Sequence, residues 1–163
     1  MGSAKYAVVG IAVWAGLKLV GFAAAGSHQA PPPRGNAFVA PNAPEEIRLE
    51  RRGNGHFYVH GMVNGQIVEF LVDTGASSVV LTTADAERVG LPVDKARFQV
   101  IGTGAAGPVR GQRNVLDSVE VEGRTVTNMP AMIAEGLGQS LLGQDFLTRF
   151  GSVQMSGGTM VLR

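Results

Sequence analysis

The stretch LVDTGASSVVL, residues 71–81, places one ionisable residue, Asp73, between two apolar runs that are typical of buried strands. Gly75 permits the tight turn that must connect these runs. A solitary carboxylate at the end of a buried strand loses hydration, so it needs hydrogen-bond donors or a partner. The backbone amides of the turn and the Thr74 hydroxyl are candidate donors. Taken alone, the stretch also allows Asp73 to be the cap of an ordinary β-turn.

The composition of the chain narrows the function classes. Of its 163 residues, 45% are hydrophobic and 17% are charged, which suits one globular domain with an appendage. The formal net charge of +1 provides no basic field, so nucleic acid is not expected as a partner. The chain has no Cys, and His28, His56 and His60 form no compact ligand motif, so no metal or other cofactor is expected.

Residues 1–26 form an apolar N-terminal segment. The run Tyr6–Ala25 is about long enough to span a bilayer and contains one charge, Lys18. It is interpreted as an uncleaved transmembrane signal anchor. The alternative is a secretory signal peptide that is cleaved after the small residues Ala23–Ala25. Either interpretation predicts that the remainder of the chain is exported.

Two regions follow this segment. Residues 27–50 are rich in proline, which lacks a backbone donor and favours extended geometry in its predecessor, so they are predicted to form a linker. From residue 51 the hydrophobic period changes to two. Asn64-Gly65 predicts a hairpin turn, and a short helix is expected to begin at Thr82 or Thr83 and to end at Gly90.

The rest of the domain, residues 51–163, is predicted to be all-β. Strands are expected on both sides of a glycine-rich tip, in a wide hairpin over residues 114–134, and in a final hairpin over residues 152–163, with a second short helix after Gly143. Many short strands, glycine turns and one or two short helices indicate a compact barrel or sandwich.

A second motif decides how the first is interpreted. SLLGQDFL, residues 140–147, has two branched apolar residues, a glycine and a helix start. Together LVDTGAS and LLGQDFL resemble the signature of the retropepsin-like aspartic proteases, and the chain is similar in particular to the single-domain, membrane-anchored type of bacteria. The resemblance covers about residues 55–163. It implies a closed β-barrel that is active as a homodimer.

The resemblance also implies roles for individual residues. Asp73 corresponds to the catalytic carboxylate, and Thr74, Gly75 and Ala76 correspond to its supporting turn. The apolar pair and glycine of the second motif are expected to pack beside this turn in a ψ-shaped crossing; they are Leu141, Leu142 and Gly143. Asp145 lies outside the matched positions and is expected to be a first-turn acid of the following helix.

The number of carboxylates sets the oligomeric state. Aspartic proteolysis needs two carboxylates that share one proton around a water molecule. The chain has one Asp-Thr-Gly motif, and its other aspartates lack that turn context. The second carboxylate is therefore expected from another copy of the chain, with an Asp73 pair on a two-fold axis.

The run from Gly102 to Gly107 has the form GxGxxG, but Pro108 follows it and no helix is expected there, so a dinucleotide site is disfavoured. A plain hairpin is one interpretation. The resemblance instead assigns about residues 100–111 to a flap that covers bound peptide. The candidate flap residues are Ile101, Gly102, Thr103 and Gly104.

The function predicted from these residues is an aspartic endopeptidase that acts on exported or membrane proteins. Its partners would be a second copy of itself, a peptide or protein substrate, and the membrane through the N-terminal segment. The predicted location is the bacterial inner membrane, with a single span and the catalytic domain in the periplasm, or the periplasm or exterior after signal cleavage. The alternative is a retropepsin-fold peptide-binding or scaffolding module without catalysis.

Overall fold

The protein is described by a computed structural model that covers residues 36–104 and 107–163. These ranges contain eleven strands and two short α-helices, as the all-β prediction requires. The strands are β1 (Ala37–Val39), β2 (Ile47–Glu50), β3 (Tyr58–Val63), β4 (Gln66–Val72), β5 (Val79–Thr82), β6 (Gln99–Gly104), β7 (Gly107–Val121), β8 (Arg124–Ala134), β9 (Ser140–Leu142), β10 (Val153–Ser156) and β11 (Thr159–Leu162). Helix α1 spans Thr83–Arg88 and helix α2 spans Gln144–Leu147.

The strands form two sheets. Eight of them pair in the order β1-β8-β5-β9-β4-β3-β7-β6, and β7 also pairs with β8. Pairing from β8 through β5, β9, β4, β3 and β7 therefore returns to β8, so six strands form a complete circuit, with β1 and β6 attached to it. The other three strands form a sheet in the order β10-β11-β2.

Local sequence signals explain the first hairpin and helix α1. Asn64 and Gly65 both have positive φ, 49° and 80°, as a type I′ turn between β3 and β4 requires. The Thr82 side chain accepts a hydrogen bond from the Asp85 amide and thus caps α1. Gly90, with φ of 81°, follows the end of that helix. These predictions are confirmed.

Strand β7 is longer than the sequence pattern indicated. The strands expected after the glycine-rich tip and at the start of the wide hairpin are one continuous strand of 15 residues. Its first part pairs with β6, and from Gly111 onward it pairs with β8. Glu122 and Gly123, both with positive φ, turn the chain from β7 into β8.

The predicted linker, residues 27–50, contains two strands in its described part. β1 pairs with β8, and β2 pairs with β11 through contacts such as Ile47 opposite Leu162. The folded domain therefore begins before residue 51, which corrects the predicted boundary. Pro41 and Pro44 lie between the two strands, where their missing amides break no ladder hydrogen bond. Residues 27–35 lie outside the described residues.

The N-terminal apolar run, Tyr6–Ala25, also lies outside the described residues. Within residues 36–104 and 107–163, no helix has both the length and the apolar character needed to cross a bilayer.

Two hydrophobic clusters fill the interior. The larger cluster occupies the strand circuit and includes the fully buried Phe70, Leu116 and Phe146. The smaller cluster lies against the Asp73 turn and the β6–β7 hairpin; its members are Ala76, Val80, Ile101, Val109, Met132, Ala134 and Leu141. The smaller cluster therefore joins the two parts of the candidate site.

Candidate active site

Asp73 begins the turn that leaves β4. Its amide donates a hydrogen bond to the Leu142 carbonyl oxygen (3.1 Å), and its carboxylate Oδ1 accepts one from the Gly75 amide (2.8 Å). The turn-cap interpretation is thus correct for one carboxylate oxygen. The Asp73 side chain is only half-buried in the single chain, and Thr74 and Gly75 are exposed. The carboxylate is therefore oriented by the turn while it remains in contact with solvent.

Strand β9 inserts between the two strands that flank this turn. It runs parallel to β4, with Leu142 opposite Val72, and antiparallel to β5, with Leu141 opposite Val80. Leu142 is buried in the larger cluster and Leu141 in the smaller one. The structure thus brings the second motif directly beneath the first, in the crossing that the resemblance implied.

Gly143 allows the closest approach in this crossing. A Cβ atom at this position would lie 2.2 Å from the Ser78 carbonyl oxygen and 2.8 Å from the Ala76 carbonyl oxygen. Its φ of −92° is accessible to any residue, so space rather than backbone conformation requires glycine here. Backbone atoms form the obstacle, so a side-chain rotation would not relieve it.

Helix α2 holds the turn from its other side. The Gln144 amide donates to the Ala76 carbonyl (2.8 Å) and the Asp145 amide donates to the Ser77 carbonyl (2.9 Å). The Gln144 side-chain amide donates to the Thr74 carbonyl (2.7 Å). Three carbonyl oxygens of the turn, those of Thr74, Ala76 and Ser77, therefore accept hydrogen bonds from α2.

Two side chains of α2 add contacts that the sequence did not assign to the site. Gln144 was not predicted as a site residue, and its position directly after Gly143 is the one signal that points to it. Asp145 lies in the first turn, as expected, and also accepts a hydrogen bond from the Ser78 hydroxyl (2.9 Å). Both residues therefore help to hold the turn that carries Asp73.

The proposed flap residues are divided between interior and surface. Ile101 is 7% exposed and packs with Ala76 in the smaller cluster, so it supports the base of the β6–β7 hairpin from within. Thr103 is exposed, and Gly102 and Gly104 are half-buried. Of these four residues, Thr103 is the most exposed, whereas Ile101 faces inward.

Chemically, the turn offers one oriented carboxylate that contacts solvent. Within residues 36–104 and 107–163, no group of three or more His, Asp or Glu side chains has the spacing of a metal site. A carboxylate in this setting can accept a proton from water or, in its protonated form, donate one to a carbonyl oxygen.

Comparison with known proteins places this geometry in a family. Residues 59–146 match the family model described as aspartyl protease, a range that runs from β3 into α2 and includes the first motif and all but the last residue of the second. The chain is 34% identical over 118 residues to an uncharacterized protein of Rickettsia prowazekii, covering 72% of this chain and 51% of that protein. It is 34% identical over 134 residues to an uncharacterized protein of a Sinorhizobium species, covering 81% and 58%. The chain thus spans little more than half the length of these relatives.

Solved structures agree with the family match. A retropepsin-like aspartic protease from Rickettsia conorii superimposes with a TM-score of 0.61 at 29% identity, covering 78% of this chain and 92% of that one. The EIAV protease, determined in complex with the inhibitor HBY-793, superimposes with a TM-score of 0.51 at 25% identity, covering 61% and 91%. The chain belongs to the aspartyl protease family and has the retropepsin-like fold that its two motifs predicted.

Proposed function

We propose that the chain is an aspartic endopeptidase whose active site is completed by a second copy, with Asp73 of each subunit contributing one carboxylate. The observation that carries this proposal is the exposure of the Asp73 turn. Asp73 is half-buried, Thr74 and Gly75 are exposed, and the turn is otherwise fixed by β9 and α2. A rigid, exposed turn with one carboxylate supplies half of a two-carboxylate site.

The proposed chemistry follows from two carboxylates that share one proton. The ionised carboxylate takes a proton from a water molecule, whose oxygen then attacks the carbonyl carbon of the scissile peptide. The protonated carboxyl group of the other subunit donates its proton to the carbonyl oxygen. Collapse of the tetrahedral intermediate breaks the carbon–nitrogen bond. The leaving amine takes the proton that the first carboxylate received from water, and a hydroxyl group of the intermediate returns a proton to the second carboxylate as the new carboxyl group forms.

The β6–β7 hairpin supports a site for an extended peptide. Its base is attached to the Asp73 turn through Ile101 and Val109, while Thr103 is exposed near its end. An extended substrate between the two Asp73 turns and the two hairpins would gain affinity from backbone hydrogen bonds and selectivity from apolar side chains. We propose extended segments of exported or membrane proteins as the substrate class.

Cleavage of a diverse peptide pool by the purified full chain tests this function. The matched control is Asp73→Asn, which retains a side-chain oxygen that can accept from the Gly75 amide. We expect cleavage by the wild type, inhibition by a pepstatin-type compound, and loss of at least about a thousandfold in kcat/KM in the variant. A folded, dimeric wild type that cleaves nothing would favour the non-catalytic peptide-binding module instead.

A mixing experiment tests whether the site is shared. With a fixed amount of wild type, an equal amount of Asp73→Asn should lower activity to about half, because half of the wild-type chains enter mixed dimers that have one carboxylate. An equal amount of a folded, monomeric protein is the control for crowding. Activity that stays unchanged in the mixture, or that persists in a strictly monomeric preparation, would refute the shared dyad.

We also propose that residues 6–25 hold the domain at the bacterial inner membrane, facing the periplasm. The apolar length of this run supports the proposal, as does its single internal charge. Fractionation of cells that express the full chain, compared with a chain that lacks residues 1–26, tests it. Recovery of the full chain in the soluble periplasmic fraction, with its first residues missing, would favour the signal-peptide alternative.

A further inference from the structure

The outer face of the main sheet carries three exposed apolar side chains, Phe38, Met62 and Ile67, in one row with Thr125 and Glu120. Strand pairing places Phe38 opposite Thr125, Thr125 opposite Glu120, Glu120 opposite Met62, and Met62 opposite Ile67. Directly paired residues point to the same face of a sheet, so these five side chains form one line across five strands. Phe38 and Ile67 are each 61% exposed and Met62 is 42% exposed.

A groove follows part of this row. Its volume is about 660 Å³, and its floor includes Gly61, Met62 and Ile67. The connection between β1 and β2 forms one wall, through residues that include Ala40 and Pro44. The floor of the groove lies at the end of the β3–β4 hairpin that carries the Asn64-Gly65 turn. Asp73 follows the opposite end of β4, so the groove and the Asp73 turn are at different ends of this strand.

The rim of the groove is acidic. Glu120 and Glu122 line it, and neither forms an ion pair with another residue of the described ranges. An apolar floor with unpaired carboxylates at its edge fits a ligand that is apolar along its length and carries a positive charge. The same carboxylates disfavour an anionic lipid surface as the occupant.

We propose that residues 28–35 of the same chain, HQAPPPRG, occupy this groove. This segment directly precedes Asn36, whose carbonyl oxygen accepts from the Thr127 amide beside β1. Met62 on the floor lies three strand spacings, about 14 Å, from β1, whereas eight residues of fully extended chain span up to about 28 Å. The segment therefore has enough length to turn back and reach the floor.

Its chemistry matches the groove as well as its length does. Pro31–Pro33 present apolar rings and no backbone donors, so they suit an apolar groove better than the edge of a sheet. Arg34 is the one residue between 26 and 35 with a permanent side-chain charge, and it is positive. It would pair with the carboxylates of Glu120 and Glu122 at the rim.

Disulfide trapping tests this docking in the full chain, held in detergent micelles. The natural chain has no Cys, so two introduced cysteines have no other thiol in the same chain with which to form a disulfide. The test pair is Pro32→Cys with Met62→Cys. The control pair is Pro32→Cys with Met155→Cys, because Met155 is 57% exposed on β10 in the other sheet. We expect the intrachain disulfide to form at least about 10-fold faster in the test pair than in the control pair.

The other outcomes would overturn the proposal. Equal rates in the two pairs would show random encounter, and a disulfide found only between chains would make a second copy the occupant. Thermal unfolding of both reduced variants checks that they fold. As a second measurement, Glu120→Lys with Glu122→Lys should slow trapping several-fold, and adding Arg34→Glu should restore it; failure of this restoration would remove the charge pairing from the proposal.

Discussion

The Asp73 turn and the end of the β6–β7 hairpin are held in opposite ways. The turn is bonded to β9 and α2 by backbone groups of Asp73, Ala76 and Ser77. Among the described residues, pairing of β7 with β8 begins only at Gly111, so the end of the hairpin pairs with itself. A two-stranded ribbon is marginally stable on its own. We infer from this difference that the turn holds the Asp73 carboxylate in a fixed position, whereas the end of the hairpin can move to accommodate a ligand.

The largest expected effect comes from filling the space beneath the turn. Gly143→Ala would place a Cβ atom 2.2 Å from the Ser78 carbonyl oxygen, and the backbone must shift to accept it. We expect the free energy of unfolding to fall by about 3 kcal/mol and proteolytic activity to be lost. Urea denaturation and peptide cleavage measure the two effects.

Gly138→Ala is the matched control for that substitution. A Cβ atom at Gly138 would meet nothing within 4 Å, so the unfolding free energy should change by less than about 0.5 kcal/mol. Equal effects of the two substitutions would show that the turn is not held as tightly as its contacts indicate.

The second expected effect concerns the link between turn and hairpin. Ile101→Ala removes a buried side chain from the cluster that contains Ala76 and Val109. We expect unfolding to become easier by about 2 kcal/mol and KM for peptide to rise more than kcat falls, because the hairpin loses its attachment while the carboxylate keeps its own. The control is Val100→Ala, since Val100 is 65% exposed. A fall in kcat with unchanged KM would contradict these separate roles of the turn and the hairpin.

The part of the site that follows from local pattern was predictable from the sequence. The Asn64-Gly65 pair favours a type I′ turn by itself. The adjacent apolar residues Leu141 and Leu142 indicate a strand that is buried on both faces. The exposure of Asp73 was not predictable, because burial depends on whether a second surface covers the turn. Gln144 was missed for a related reason: its hydrogen bond to Thr74 joins residues 70 positions apart.

The fold shows the same limit at its N-terminal side. Strand β2 alternates buried and exposed residues over only four positions, and its partner β11 lies more than 100 residues later. Strand β1 has three residues, all exposed, and depends on β8 for its existence. Short strands whose partners are distant in sequence carry too little local signal to outweigh the neighbouring prolines.

A smaller effect is expected from the side-chain support that α2 gives the turn. Gln144→Ala removes the donor to the Thr74 carbonyl but leaves the backbone hydrogen bond from residue 144 to Ala76. We expect a loss of about 1 kcal/mol in unfolding free energy and a several-fold lower kcat. Gln66→Ala, at an exposed position of β4, is the control. If both variants retain wild-type kcat, the backbone contacts alone hold the carboxylate in place.

The smallest expected effect lies on the outer surface, where charges rather than backbone contacts join two segments. Arg52 donates a hydrogen bond to Glu69 of β4, and this bond, with the Arg52 charge, lowers the pKa of Glu69 below its ordinary value of 4.5. A carboxyl group whose pKa is lowered by folding stabilises the protein above its unfolded pKa, and this contribution is lost as pH falls through the folded pKa. Glu69→Gln should therefore lower the unfolding free energy by less than about 1 kcal/mol at neutral pH, because the pair is exposed.

The pH dependence of that difference separates the ion pair from other causes. The unfolding free energies of wild type and Glu69→Gln should converge as pH falls below the lowered folded pKa of Glu69, where this carboxyl group is protonated in both folded and unfolded chains. High salt should reduce the difference at neutral pH as well, since it screens exposed charges. Glu87→Gln, at an exposed position of α1, is the control and should show little difference at any pH. A Glu69→Gln effect that stays constant from neutral to acid pH would mean that the side chain stabilises β4 by packing, and surface charge would then play no part in holding the hairpin that leads to Asp73.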